Sequence, residues 1–438
     1  MQRRKVTSLF LAIGMLLTYR LFIINKIQVH RSFHDEVLDL KGAIQELHLM
    51  SPKPTVDLSS NNLESLPPGF VDWGKDTVEI LYLSDNLFDN VPMELSWLPK
   101  LKMLSFRRNS IKNVNCDALP DSIVHLILTD NQITTFSGNC NNKFRNIRKL
   151  MLARNRLESL PKGLMLPELE LIRLPQNRLH SIPRELIINS PKLKWASFAE
   201  NPCCILPSSS VKIVDDFNCV LDNNNLGSGT SGTLLGCRNS EFVFKKFKEF
   251  SSDGSTLAEM SISSLLPQNH KAILAPLVVT KLLEDGHPIL GAIFPRKYSL
   301  PAAFPPQFGC QDRFPPEKQK RFSSRRIFEA LKEAVCALAE IHKSQIVHMD
   351  LYAHNMLLSN SEVVILDFGA SVYTHSLSHE DKKLLEVLDL RAFGNLIHDL
   401  AKNVLKDYDD ITFKKLDEMK AMAESGLISA EELCRLHT

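Results

Sequence analysis

The sequence predicts two folded parts, an α/β array of stacked repeats followed by a two-lobed α+β domain. Three observations support this prediction. Between residues 61 and 201 an asparagine recurs every 22 to 25 residues within similar leucine-bearing lines. After residue 220 a glycine-rich turn is followed by two clusters of acidic and amide residues. The length of 438 residues is also more than one hydrophobic core usually covers.

The repeated lines share an apolar residue, a variable residue, a second apolar residue and, three positions later, an asparagine. These asparagines are Asn61, Asn86, Asn109, Asn131, Asn155, Asn177 and Asn201. Alternating apolar residues of a short strand point into one core, and an asparagine can satisfy backbone groups where the chain leaves the strand. Each unit buries its apolar edge only by stacking on its neighbours. The lines resemble leucine-rich repeats, which form curved solenoids.

The concave strand face of such a solenoid is the expected recognition surface. Its candidate outward positions are Tyr82, Ser105, Ile127, Met151, Arg173 and Ser197, with Arg107 and Trp195 beside them. This partly apolar, partly basic stripe suits a protein substrate or ligand. A spacer, or an intramolecular brake on the second domain, is the alternative role of the repeats. A helical cap is predicted over residues 35–50.

Phosphate-binding features open the second domain. A Gly-x-Gly-x-x-Gly turn lets backbone amides cover phosphates. Its glycines are Gly227, Gly229 and Gly232. Lys245 on the next strand is placed to reach the α- and β-phosphates, and Lys246, the adjacent alternative, faces the other way. Glu259, on a short helix predicted over residues 256–262, is the expected ion-pair partner of Lys245.

The second cluster runs from His348 to the triplet Asp-Phe-Gly that begins at Asp367. Asp350 is predicted to orient the attacking hydroxyl and accept its proton, while Asn355 and Asp367 hold Mg²⁺ against the phosphates of ATP. Mn²⁺ is an alternative because both ions suit oxygen ligands. His348 is expected to brace the loop. Asp389, in an Asp-x-x-x-Phe-Gly element, is predicted to open a helix and support the loop from below.

In this order, the motifs resemble those of the eukaryotic-type protein kinase superfamily over residues 221–405. His-Met-Asp-Leu-Tyr-Ala-His-Asn after leucine-rich repeats is similar to small repeat-kinase proteins of bacteria and protists. The resemblance implies a leucine-rich-repeat solenoid followed by a two-lobed protein kinase domain with a short C-terminal lobe. It also implies ATP-dependent phosphorylation of protein hydroxyls, with serine and threonine favoured. A non-catalytic pseudokinase scaffold and a small-molecule phosphotransferase are the alternatives.

Three departures from the kinase pattern are visible. Met349 stands where many kinases carry the arginine that pairs with a phosphorylated activation segment. The segment from Asp367 to Asp389 is short and has no Ala-Pro-Glu element. We therefore expect an enzyme that does not need phosphorylation of this segment. Tyr352 and Ala353 replace a usual Lys-Pro pair, which leaves serine/threonine against tyrosine specificity open.

The N-terminus predicts membrane association. Residues 1–5 are basic, and residues 6–24 are almost wholly apolar apart from Arg20. This run can nearly span a bilayer as a signal-anchor helix. A cleaved signal peptide and a transit peptide for an organelle are the alternatives. No Asn-x-Ser/Thr sequon occurs in the chain, which favours a cytosolic kinase domain.

The composition excludes some classes. A net charge of +2 gives no electrostatic basis for nucleic-acid binding. Nine cysteines without regular spacing predict no disulfide framework. The expected organisation is an anchor or targeting segment (1–30), a leucine-rich-repeat domain (31–206), a linker (207–220) and a protein kinase domain (221–438).

Overall fold

The computed structural model consists of a seven-stranded parallel sheet followed by a six-stranded mixed sheet and a helical region. It describes residues 53–437, except 207–212, 216, 229–230, 239–240, 249–250, 252, 269, 285–286, 297–320, 404–405 and 408. The predicted anchor, the helical cap over 35–50 and Gly229 lie outside the described residues. Among the described helices, none has the length and apolar character needed to cross a membrane.

The repeat region, residues 53–206, is built on short parallel strands, one from each line. They are β1 (Thr55–Asp57), β2 (Ile80–Tyr82), β3 (Met103–Ser105), β5 (His125–Ile127), β7 (Lys149–Met151), β8 (Leu171–Arg173) and β9 (Trp195–Ser197), paired in that order. A second parallel pair and three short helices complete the region: β4 (Asn113–Asn115), β6 (Thr135–Ser137), α1 (Phe70–Gly74), α2 (Cys140–Lys143) and α3 (Arg184–Asn189). The middle residue of each main strand is buried.

The asparagines connect successive strands. Asn131 donates from Nδ2 to the carbonyl oxygens of Phe106 (2.9 Å) and Leu128 (3.0 Å), and its Oδ1 accepts from the backbone of Ile111 at 3.1 Å. The same arrangement recurs at Asn86, Asn109, Asn155, Asn177 and Asn201. Backbone groups that would otherwise be buried without partners are satisfied in this way.

The six-stranded sheet has the order β10-β14-β15-β13-β12-β11. Its strands are β10 (Ile213–Asp215), β11 (Leu221–Ser228), β12 (Gly232–Cys237), β13 (Phe242–Phe247), β14 (Val278–Glu284) and β15 (His287–Pro295). Helix α4 (Thr256–Ser263) agrees with the helix predicted over 256–262. The segment expected as a linker differs from the prediction, because β10 within it pairs in parallel with β14 and extends the sheet.

The helical region follows. Its elements are α5 (Ser324–Lys343), β16 (Ile346–Val347), β17 (Met356–Leu358), β18 (Val363–Ile365), β19 (Val372–Tyr373), α6 (His379–Asn403), α7 (Asp410–Glu424) and α8 (Ala430–His437). The prediction that Asp389 opens a helix is wrong, since α6 already begins at His379. Residues 380–388 are mostly good helix formers without glycine or proline, so the helix extends toward its N-terminus.

One hydrophobic core runs from the repeat region into the helical region. Six buried residues beyond the repeats belong to the same cluster as the repeat leucines: Val347, Met349, Ala370, Val372, Leu385 and Leu388. The backbone N–H of Ala196 on β9 also donates to the carbonyl of Met349 at 3.0 Å. The prediction of an open face is therefore wrong for Arg173, Trp195 and Ser197, because contacts with residues beyond the repeats bury them. It is also wrong for Ser105, which is buried within the repeats, where its hydroxyl lies 2.9 Å from that of Ser84.

Cysteine pairing also differs from the prediction. Among the residues that the structure describes there are three disulfides, Cys116–Cys140, Cys219–Cys237 and Cys336–Cys434. The first joins neighbouring repeats and the third joins α5 to α8 across 98 residues of sequence. Such pairs carry no local spacing signal because folding, not sequence distance, brings them together.

We predict that six of the nine cysteines are unreactive before reduction. Protein from an oxidising host, denatured with an alkylating agent, should take up at most three labels without reduction and nine after it. Replacing Cys336 and Cys434 by alanine should lower the free energy of unfolding by about 2–4 kcal/mol, because the unfolded chain gains entropy. Intact-mass spectrometry and urea unfolding measure both effects. Nine labels on the unreduced protein would contradict the pairing.

Candidate active site

Lys245 and Glu259 form an ion pair between β13 and α4. Both side chains are largely withdrawn from solvent, with the Lys245 side chain 13% exposed. Gly232 allows β12 to lie close against β13 beside this lysine: a Cβ there would stand 2.5 Å from the carbonyl oxygen of Lys246 and 3.3 Å from the Lys245 side chain. The last glycine of the predicted turn is thus required by the backbone of the strand that carries Lys245.

Helix α4 is anchored by the repeat region. Ser255 caps the helix by accepting a hydrogen bond from the N–H of Ala258 at 3.2 Å. Glu200, just after β9, in turn accepts from the backbone N–H of Ser255 at 2.9 Å and from its hydroxyl at 2.7 Å. No pattern in the sequence indicated this role of Glu200. A carboxylate at a helix N-terminus is favourable, because the helix dipole is positive there.

Asp389 holds the predicted catalytic loop from below. Its carboxylate accepts from the backbone N–H groups of His348 and Met349, both at 2.7 Å, and lies 3.0 Å from Nε2 of His342. His348 is fully buried and its ring packs against Phe368, with 4.9 Å between the ring centroids. These contacts place His348 and Asp389 beneath the loop, where the sequence expected them.

The structure brings Asp350, Asn355 and Asp367 to the same cleft as the ion pair. Asn355 donates from Nδ2 to the carbonyl oxygen of Asp350 at 2.9 Å and to its carboxylate at 3.0 Å. Asp367 adopts a left-handed backbone with φ of 63°, a strained conformation that is common at functional sites. A Cβ added to Gly369 would stand 3.3 Å from Asp367 Oδ1 and 3.6 Å from Glu259 Oε2.

The donor set suits a divalent cation that also binds phosphates. The described part of the chain contains no group of three or more histidine, cysteine or acidic side chains able to hold a metal. Mg²⁺ is usually bound by one or two carboxylates together with substrate phosphates and water. Asn355 turns its nitrogen to Asp350, which leaves its Oδ1 for a cation beside Asp367. The residues therefore fit Mg²⁺ brought with a nucleotide.

Two further charged residues meet at this cleft. Arg173, at the end of β8, lies with Nη2 2.6 Å from Oδ1 of Asp350 and Nε 2.6 Å from Oδ1 of Asp253. The sequence marked Arg173 only as a partner-binding position and did not mark Asp253. Arg173 and Asp350 are 177 residues apart, so no local motif could have indicated their contact.

The comparison with known families agrees with the geometry. Residues 221–387 match the family model of the protein kinase domain. The chain thus contains a protein kinase domain, which confirms the predicted superfamily for this region and supports a transferase class. A search of curated proteins gave no match. The leucine-rich-repeat assignment of the preceding region stays a prediction.

We predict that Lys245, and not its neighbour, is needed for phosphoryl transfer. Lys245→Met should lower kcat by about 10²–10³-fold, the usual effect of removing one stabilising donor. Lys246→Met should change it less than twofold, because the Lys246 ammonium pairs with Glu284 instead. Steady-state rates of the two variants measure the difference. Equal losses would contradict the assignment of Lys245.

We also predict a pH dependence that arises from Glu259. Burial raises the pKa of Glu259 to about 7, the charge of Lys245 opposes this shift and Asp367 adds to it. As the pH falls through about 7 the carboxylate takes up a proton and the ion pair is lost, so kcat/KM for the nucleotide should fall. In Glu259→Gln the value should be low and flat between about pH 6 and 8. An unchanged pH profile in this variant would exclude Glu259 as the cause.

Proposed function

We propose that this protein is an ATP-dependent protein kinase that transfers the γ-phosphate to protein hydroxyls, with Mg²⁺ as the metal. The observation that carries this proposal is the convergence of the Lys245–Glu259 pair with Asp350, Asn355 and Asp367 in one cleft. Lys245 binds the α- and β-phosphates, and Asp350 orients the acceptor hydroxyl and takes its proton. Bound Mg²⁺ neutralises phosphate charge during transfer.

The contacts that hold the cleft residues in place favour catalytic turnover over a scaffold role. The ion pair that positions Lys245 is formed without a ligand. Asp389 holds the loop through two backbone hydrogen bonds, so the backbone that leads into Asp350 is already in place before reaction. Side chains already held in place lower the barrier to reaction, whereas a pure scaffold has no need of them.

Membrane association through residues 6–24 remains part of this proposal. The sequence favoured a cytosolic kinase domain, but the three disulfides favour the oxidising side of the membrane, because such bonds persist there and are rare in the cytosol. The thiol count described above, made on protein in its native membranes, tests this choice. Nine reactive thiols there would restore the cytosolic location.

We further propose that the repeats recruit a protein substrate. The C-terminal end of the strand face is covered, but Tyr82 on β2, Ile127 on β5 and Met151 on β7 remain partly accessible, and Arg107 after β3 is exposed. Aromatic, aliphatic and basic side chains together are the composition that protein interfaces enrich. A substrate held there would lie on the same side of the chain as the loop that carries Asp350, because β8 contacts Asp350 and β9 contacts Leu351.

The first prediction concerns the transfer itself. The full chain in detergent, with Mg²⁺ and γ-labelled ATP, should label itself or a generic protein. Asp350→Asn should lower the rate by about 10²–10⁴-fold, because it removes the proton acceptor. Phosphoamino-acid analysis should yield phosphoserine and phosphothreonine, the acceptors favoured by the resemblance to repeat kinases. Labelling of a small hydroxyl metabolite but of no protein would replace this function with small-molecule phosphorylation.

The second prediction concerns recruitment by the strand face. Met151→Glu should slow phosphorylation of native substrates in a lysate by about tenfold, because it places a charge in an apolar contact, a loss of about 1.4 kcal/mol. Phosphorylation of a generic protein should not change. Met165→Glu is the matched control, since Met165 is 54% exposed in a loop outside the strand face. Equal rates for the two variants would argue against recruitment by this face.

A further inference from the structure

Arg173 is held in the kinase cleft by two carboxylates. Its Nη2 lies 2.6 Å from Oδ1 of Asp350, and its Nε lies 2.6 Å from Oδ1 of Asp253. The residue is 4% exposed although it belongs to the repeat region. Burial opposes the charged form, but Asp253 and Asp350 outweigh it and raise the pKa of Arg173, so the guanidinium stays positive.

One nitrogen of this guanidinium makes no hydrogen bond to any described residue. Nη1 of Arg173 is buried and has no hydrogen-bond partner there. A buried donor without a partner costs about 1–3 kcal/mol, more when it is charged. An ordered protein rarely retains such a group unless water, an ion or a ligand satisfies it. The ligand must carry an acceptor atom, and an anion suits it best.

The neighbourhood of Arg173 indicates which anion this is. Four carboxylates meet around the cleft, from Asp253, Glu259, Asp350 and Asp367, and two cations face them, from Lys245 and Arg173. Lys245 is paired with Glu259 at one side. Arg173 lies at the other side, against the carboxylate that orients the acceptor hydroxyl. A phosphoryl group in transit between nucleotide and acceptor passes beside that carboxylate.

The repeat region is attached to the catalytic loop too extensively to act as a reversible inhibitor of the kinase. Trp195 donates from Nε1 to the carbonyl oxygen of Leu351 at 2.9 Å. The backbone N–H of Ala196 donates to the carbonyl oxygen of Met349 at 3.0 Å. The hydrophobic core is continuous across this contact. Withdrawing Arg173 together with the repeat region would expose that apolar surface to water, which costs about 25 cal/mol of free energy per Å² exposed. Arg173 therefore belongs permanently to the cleft.

We propose that Arg173 is a catalytic residue, contributed by the repeat region, whose Nη1 binds an oxygen of the γ-phosphoryl group during transfer. This proposal rests on the protein kinase function given above. The acceptor oxygen forms a bond to the γ-phosphorus as the bond to the β,γ-bridging oxygen breaks. ADP leaves with that electron pair, and the hydroxyl proton goes to Asp350. Arg173 itself neither gains nor loses a proton, and its charge stabilises the group in transit.

The test combines transfer rates with nucleotide affinities of the full chain. Arg173→Gln should lower the single-turnover rate by about 10²–10³-fold. It should also reduce the preference for Mg-ATP over Mg-ADP by about tenfold, since only ATP carries the γ-phosphoryl group. Arg184→Gln is the matched control, because it removes ion pairs with Glu380 and Asp381 at the same domain contact but away from the cleft. Both quantities should change less than twofold in the control.

Each outcome decides the proposal. A rate that is unchanged or raised in Arg173→Gln would overturn it and make Arg173 a spectator or a brake. A lowered rate with an unchanged ATP/ADP preference would also overturn it, because Arg173 would then only support the fold. If Arg173→Gln does not fold, Arg173→Lys keeps a charge between the carboxylates but lacks Nη1, and the same two losses are expected. If the wild type transfers no phosphate, the kinase function fails, and the ATP/ADP preference alone judges Arg173.

Discussion

The hydrophobic core that the repeats share with the catalytic loop is the constraint on which the active site depends. Strand β9 packs its apolar side into the repeats, and its backbone and indole bond the loop that carries Asp350. Apolar burial is not directional, but hydrogen bonds to Met349 and Leu351 give the contact one register. This register fixes the position of Arg173, on the neighbouring strand, next to Asp350.

Electrostatics imposes a second requirement on this arrangement. Carboxylates withdrawn from water are costly unless cations or hydrogen bonds compensate them. Lys245 compensates Glu259, and Arg173 compensates Asp350 and Asp253 from the repeat side. Glu200 adds a further link, because it fixes the start of the helix that carries Glu259. The repeat region thus contacts Asp350 and Asp253 directly and supports Glu259 through the helix that carries it.

Much of the site could be predicted because kinase chemistry uses short local motifs. The residues Asp350 and Asn355 lie on one loop, and Lys245 and Glu259 lie on adjacent elements, so spacing along the chain was informative. The start of α6 was missed because a helix extends wherever good helix formers continue, and the Asp389 motif marks no boundary. The disulfides were missed because their partners lie 18 to 98 residues apart without a common spacing.

The sequence by itself determined the repeat periodicity, the strand and helix elements near the motifs and the set of candidate phosphate-site residues. Each of these depends on contacts between residues that are near in sequence. Only the tertiary structure decided that Arg173, Trp195 and Glu200 contact the kinase domain rather than form part of a free surface. The physical reason is that this contact joins residues of the repeat region to residues of the kinase domain that lie far away in the sequence. Neither the repeat pattern nor the kinase motifs carry information about such a contact.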